Sequence, residues 1–169
     1  MANTKVEVKH KGGGLLNKIL RNVKNMGYIK LGIVGTGNNQ RAKKDDKDNP
    51  PTNAYIGAIH EFGYEEKNIP QRSFLRMPIE DDFDQALVKN TNPKELTKQL
   101  VKDPDAFLEH IGDVALGVVT EAFDRGGSTK TKWPPLKPET MDRKLNKQIL
   151  VETTQLKEAV AYEIIKGGK

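Results

Sequence analysis

His60 and Glu61 open a run that would suit zinc-assisted hydrolysis if a second histidine followed four positions after the first, because two imidazoles on one helix face hold the metal beside a glutamate base. Position 64 is Tyr64, so that chemistry lapses. Gly35-Thr36-Gly37 follows a β-branched run, where glycines would let a pyrophosphate approach a helix N-terminus. Gln40 stands where a third glycine is needed and the next stretch, R-A-K-K-D-D-K-D-N-P-P, is no helix. A nucleotide site is therefore not expected. Glu80, Asp81, Asp82 and Asp84 crowd together as metal ligands would, yet acids also gather in a helix's first turns, where the dipole favours negative charge, and that reading is taken. Ser73 and Ser128 lack a nucleophile-elbow context, and no glycine-rich loop runs into the Lys-Ser/Thr of a phosphate-binding helix. No catalytic residue, cofactor or metal is assigned.

The composition narrows the field further. A chain of 169 residues is on the scale of one domain, able to bury roughly 70% of its unfolded surface. Only 36% of it is hydrophobic and 30% is charged, which is lean for a self-sufficient globule and leaves room for arms that order against partners. With no cysteine, disulfides and thiolate metal sites are excluded. The N-terminus has no apolar signal-like core and no run approaches the roughly 18 apolar residues of a membrane span, so no membrane partner is expected. An excess of 28 Lys and Arg over 23 Asp and Glu gives a net charge of +5. That excess is modest and dispersed, which solvated termini explain better than a dedicated phosphate surface.

The elements that would position these residues follow from periodicity. Residues 1–14 end in three glycines and read as a flexible arm. Leu15, Leu16, Ile19, Leu20 and Val23 share one face of a short amphipathic helix closed by Gly27. Residues 28–35 read as a strand and 36–53 as a polar loop, solvated or a contact element, mobile until bound. Tyr55, Ile56, Ile59 and Phe62 fall at helical spacing, predicting a short helix on the sheet that ends at Gly63. His60 and Glu61 are expected to fix the following turn by hydrogen bonding. Beyond Pro70 the chain should run extended, with Phe74 and Leu75 inward and Arg72 and Arg76 outward. Glu61 is then the natural partner for Arg72, whose planar fork suits a carboxylate.

A helical stripe of Ile79, Phe83, Ala86 and Leu87 follows Pro78. Asn92-Pro93 and Asp103-Pro104 each pair an N-cap with proline at the first helical position. They predict a short helix and then the strongest one, which ends at Gly126-Gly127. Residues 127–148, with the loop at 127–140, read as a proline-stiffened arm. On it Trp133 is either a core plug or an anchor on a neighbouring subunit, and the pre-ordered arm favours the anchor. Thr140 to Lys147 and Gln155 to Glu158 read as short helices and Val160 to Ile165 as a last strand. The fold class is α+β: a small, mostly antiparallel sheet packed against one long helix and several short ones, with residues 15–169 as a single domain.

The stretch from Ala54 to Pro78 is the densest in specific residue types. It resembles the phage virion-morphogenesis, or tail-completion (neck), protein family, whose E-F-G element and P-x-R-x-F-L block stand here as Glu61-Phe62-Gly63 and Pro70-Gln71-Arg72-Ser73-Phe74-Leu75. A second block is similar too. Trp133-Pro134-Pro135-Leu136, then Thr140, Lys144 and the run Ile149 to Leu156 resemble the family's W-x-P-L, threonine, lysine and I-L-x-x-T-G-x-L. The glycine of that last element is Thr154 here, so the turn is expected to differ, since threonine tolerates positive φ poorly.

The resemblance implies a virion protein, assembled in the host cytoplasm, that completes the tail or joins head to tail as a homo-oligomeric ring. Its implied partners are copies of itself, a head-closure or connector protein, and a tail-terminator or tail-tube protein. Genome DNA would pass through the lumen, touched by charge and not read by sequence. Trp133, Arg72 and Arg76 are the expected contacts between subunits or with partners. The alternative from another class is a stand-alone basic nucleic-acid-binding module, supported by a pI near 9.3 and opposed by the interspersion of acids among the basic residues.

Overall fold

A computed structural model describes residues 13–40, 51–144, 147–150 and 154–167. Its chain order is α1 (Gly13–Asn25), β1 (Tyr28–Gly32), α2 (Thr36–Asn39), α3 (Asn53–Phe62), a 3-10 turn (Glu65–Lys67), α4 (Arg76–Asn90), α5 (Pro93–Lys102), α6 (Pro104–Arg125), α7 (Pro138–Arg143), α8 (Gln155–Glu158) and β2 (Ala161–Ile165). The fold is α+β, as the periodicities predict. β1 and β2 pair antiparallel, Tyr28 opposite Ile165 and Gly32 opposite Ala161, which brings two distant parts of the chain together.

Helix α6 is the spine. Asp103 accepts from the backbone N–H of Ala106 at 3.1 Å, Pro104 occupies the first turn, and Gly126 closes the helix at φ 69°; each is a start or stop signal visible in the sequence. One flank of α6 carries β1 and β2, and α4 and α5 pack on it as well. Gly112 is what lets β2 lie so close, because a Cβ there would stand 2.5 Å from the Tyr162 ring. The core gathers Phe74, Val119, Ala122, Phe123, Trp133, Leu156 and Val160. Phe74 and Phe123 meet at 5.2 Å between centroids, and Trp133 stands edge-on to Phe123 at 5.7 Å, the tilted geometry that aromatic quadrupoles prefer.

Several expectations change. Gly13 and Gly14 begin α1, while residues 1–12 of the expected arm lie outside the described residues. Part of the 36–53 loop is ordered: Asn39 accepts from the N–H of Ala54 at 2.8 Å, and Asn53 donates to the carbonyl of Gln40 at 3.1 Å. Residues 41–50 lie outside the description. Helix α4 starts at Arg76, so Pro78 lies in its first turn, where no N–H is needed. The helix expected over 140–147 spans Pro138–Arg143, and Leu145 is not among the described residues. Thr154 adopts φ 57°; it takes the left-handed turn that its β-branching disfavours, and its side chain donates to Glu158.

The faces of two helices also depart from simple burial. Helix α3 turns Asn53, Gly57 and Glu61 inward, and a Cβ on Gly57 would meet Ile33 at 2.8 Å. Its other side, predicted to lie on the sheet, leaves Tyr55 57% and Phe62 71% exposed. Helix α1 donates from Asn22 to the carbonyls of Leu100 and Val101 at the end of α5, yet Leu15, Leu16, Leu20 and Val23 remain exposed.

Candidate functional site

Helix α4 has no side-chain cap from its own N-cap residue, Leu75. The cap comes from α3 instead. Glu61, 6% exposed, accepts from the backbone N–H groups of Phe74 (2.9 Å), Leu75 (3.0 Å) and Arg76 (3.2 Å) and from the Ser73 hydroxyl at 2.6 Å. A carboxylate has acceptors only, and these four donors at the positive end of a helix dipole offset the cost of burying it. Ser73 relays the cap onward, its Oγ accepting from the N–H of Met77 at 3.0 Å. Gly63 then turns at φ 80°, where a Cβ would crowd the Gln71 nitrogen at 3.1 Å. The returning extended segment is pinned by Arg72 N–H to the His60 carbonyl (2.7 Å) and by Gln71 Nε2 to the Glu61 carbonyl (2.9 Å).

Glu61 therefore fixes the start of α4, and the expected Glu61–Arg72 pair does not form. Nor does Arg72 point outward. It is 6% exposed, and its guanidinium donates from Nε to the Pro134 carbonyl (2.9 Å) and from Nη2 to the Pro135 carbonyl (3.0 Å). Burial lowers its pKa, because taking a cation out of water disfavours the charged form. Two consecutive carbonyls, those of Pro134 and Pro135, suit the fixed fork of arginine. Arg76 is exposed, as expected.

Trp133 belongs to the same joint. It is 4% exposed and its Nε1 donates to the Ser73 carbonyl at 3.0 Å, so it plugs the core of its own chain and is no anchor on a neighbour. The segment read as a free arm folds back at once. Gly127 and Lys132 bridge across a tight turn, in which Ser128 donates to Asp81 and Thr129 donates to Asp82 through both its backbone N–H and its hydroxyl. Asp82, 5% exposed, also holds Arg125 at 2.8 Å. The acids expected in a helix's first turns lie beyond the first turn of α4, which holds none because the helix starts at Arg76, and they divide: Asp81 and Asp82 tie the 127–132 turn to α4 while Glu80 and Asp84 stay exposed. No group of acids and histidines suited to a metal occurs among the described residues, and none of the described helices is long and apolar enough to cross a membrane.

Pro70, Arg72, Leu136 and Thr140 line an open cleft of about 500 Å³, whose rim also carries Lys137 and Arg143. Most of the described motif residues therefore belong either to this joint or to the cleft beside it. Of the large apolar motif residues that are described, Phe62 alone is exposed, at 71%. The partners of Glu61 escaped sequence reasoning because three of them are backbone N–H groups, which leave no mark in residue identity. One signal was present, the spacing of Asn53, Gly57 and Glu61 by four, which marks a helix face lined with small and polar groups. Comparison with protein-family models, curated proteins and solved structures returned no match.

Proposed function

We propose that the chain is a structural virion protein of a tailed bacteriophage, completing the tail or joining head to tail as a ring of identical copies in the neck. The observation that carries this reading is the convergence of the two motif blocks. Arg72, Ser73 and Phe74 from the first, a segment that Glu61 holds in place, meet Trp133, Pro134 and Pro135 from the second through direct hydrogen bonds and core packing. Residues picked out by one resemblance, yet 62 positions apart between Arg72 and Pro134, serve one structural purpose, as a family signature would. The joint is a scaffold: it holds α3 and α4 at a fixed angle and leaves the apolar outer faces of α1 and α3 in solvent.

In this reading the partners are copies of the chain, the head-closure or connector protein, and the tail-terminator or tail-tube protein. Genome DNA passes through the lumen under loose electrostatic attraction. Light scattering and negative-stain imaging of the purified protein, run beside DNA binding across a salt series, test it. Rings with weak DNA affinity are the expected result. A persistent monomer whose DNA affinity falls steeply with salt would favour a stand-alone nucleic-acid module instead.

A further inference from the structure

Helices α1 and α3 both carry apolar stripes on their solvent side, and the two stripes differ in kind. On α1, Leu16, Leu20 and Val23 follow i, i+4, i+7, with exposures of 57, 58 and 49%, and the charged residues of that helix, Lys18, Arg21 and Lys24, are all basic. On α3, Tyr55, Ala58, Ile59 and Phe62 follow i, i+3, i+4, i+7, the spacing of a helix-packing seam. Gly63 and Tyr64 link it to a 3-10 turn in which Glu65 and Glu66 outnumber Lys67, all three exposed, so that flank is net acidic. Among the described residues neither stripe is covered by its own chain, since α1 packs on α5 and α3 packs on α2 and α8.

From this we infer that the outer face of α1 in one copy docks on the outer face of α3 in the next. The occupant is a second copy of the chain because the two surfaces complement each other: leucine and valine against tyrosine and phenylalanine, and a wholly basic flank against an acidic one. Like would not suit like, because α1 against α1 would set Lys18, Arg21 and Lys24 beside their own equivalents. A contact between two different patches is heterologous, and repeated around an axis it closes a ring. This inference rests on the ring-forming reading and names the surfaces that would build it.

The absence of native cysteine allows a direct test with a bismaleimide cross-linker on the full chain. Leu20→Cys and Phe62→Cys proteins, each confirmed folded by circular dichroism, are treated alone and as an equal mixture. The mixture is expected to give a covalent dimer holding one of each, either protein alone no dimer, and the double variant a ladder of higher oligomers. Adding Arg21→Glu should cut the cross-linked fraction at least several-fold, and Glu65→Lys in the partner should restore it. Cross-linking of Leu20→Cys with itself would overturn the inference in favour of an α1–α1 contact. Rings seen by imaging without the mixed dimer would overturn this contact and leave the ring reading standing. A chain that stays single would overturn both, and if it floated with phosphatidylserine vesicles, α1 would belong to a lipid surface.

Discussion

At the scale of residues, Glu61 and Arg72 are a buried acid and a buried base that sit in one joint and ignore each other. Each finds main-chain partners, which fixes backbone direction where an ion pair would fix only two side chains. Glu61→Ala strips the cap from α4 and leaves buried N–H groups unsatisfied, so chemical denaturation should record a loss of about 2 to 4 kcal/mol. Glu61→Gln should cost less, since one amide oxygen still accepts. Arg72→Lys keeps the charge but cannot span two carbonyls, and a loss of about 1 to 2 kcal/mol is expected. An Arg72→Lys protein as stable as the parent would show that the fork to Pro134 and Pro135 contributes nothing.

At the scale of elements, the crossing of β2 over α6 depends on Gly112, and the Tyr162 hydroxyl secures it by donating to Asp113 at 2.8 Å. Gly112→Ala would force the ring aside and should lower the thermal midpoint, at a cost of about 1 to 3 kcal/mol. Burial first, and then Asp113, push the Tyr162 pKa up from 10.0 to about 12. The fold holds the neutral hydroxyl, so its contribution is whole below pH 10 and is lost as the pH rises to about 12. Denaturation midpoints measured across that window should fall in the parent and fall less in Tyr162→Phe.

What could be read from the sequence at this scale was what the chain encodes locally. The starts of α5 and α6 carry Asn92-Pro93 and Asp103-Pro104 beside them, and the stop of α6 carries Gly126. The start of α4 is capped chiefly by Glu61 on another helix, with only Ser73 adding a local acceptor, and a proline in its first turn pointed the reading past the true boundary. Trp133 misled for a related reason. The stiffness of Pro134-Pro135 was legible, but the guanidinium that receives their carbonyls lies in the other motif block. Burial of Arg72 was hidden by its charge, since arginine enters a core only where acceptors are prearranged.

At the scale of the whole molecule, the outer stripes of α1 and α3 predict concentration-dependent assembly. Phe62→Ser and Leu20→Ser should each weaken it by at least tenfold, read by light scattering, without lowering the unfolding free energy by more than about 0.5 kcal/mol, as befits exposed sites. Phe62 is a large apolar motif residue that the core leaves exposed, so its tolerance in a folded monomer separates an assembly role from a packing role. A large fall in stability for Phe62→Ser would give it the packing role.

The pairing of Tyr28 with Ile165 sets an order of events during synthesis. A ribosome must pass Ile165 before β1 has a strand partner, and long-separation contacts of this kind close late. Chains terminated before β2 lack the Tyr162 clasp on α6, so only chains translated past Ile165 carry the closed sheet.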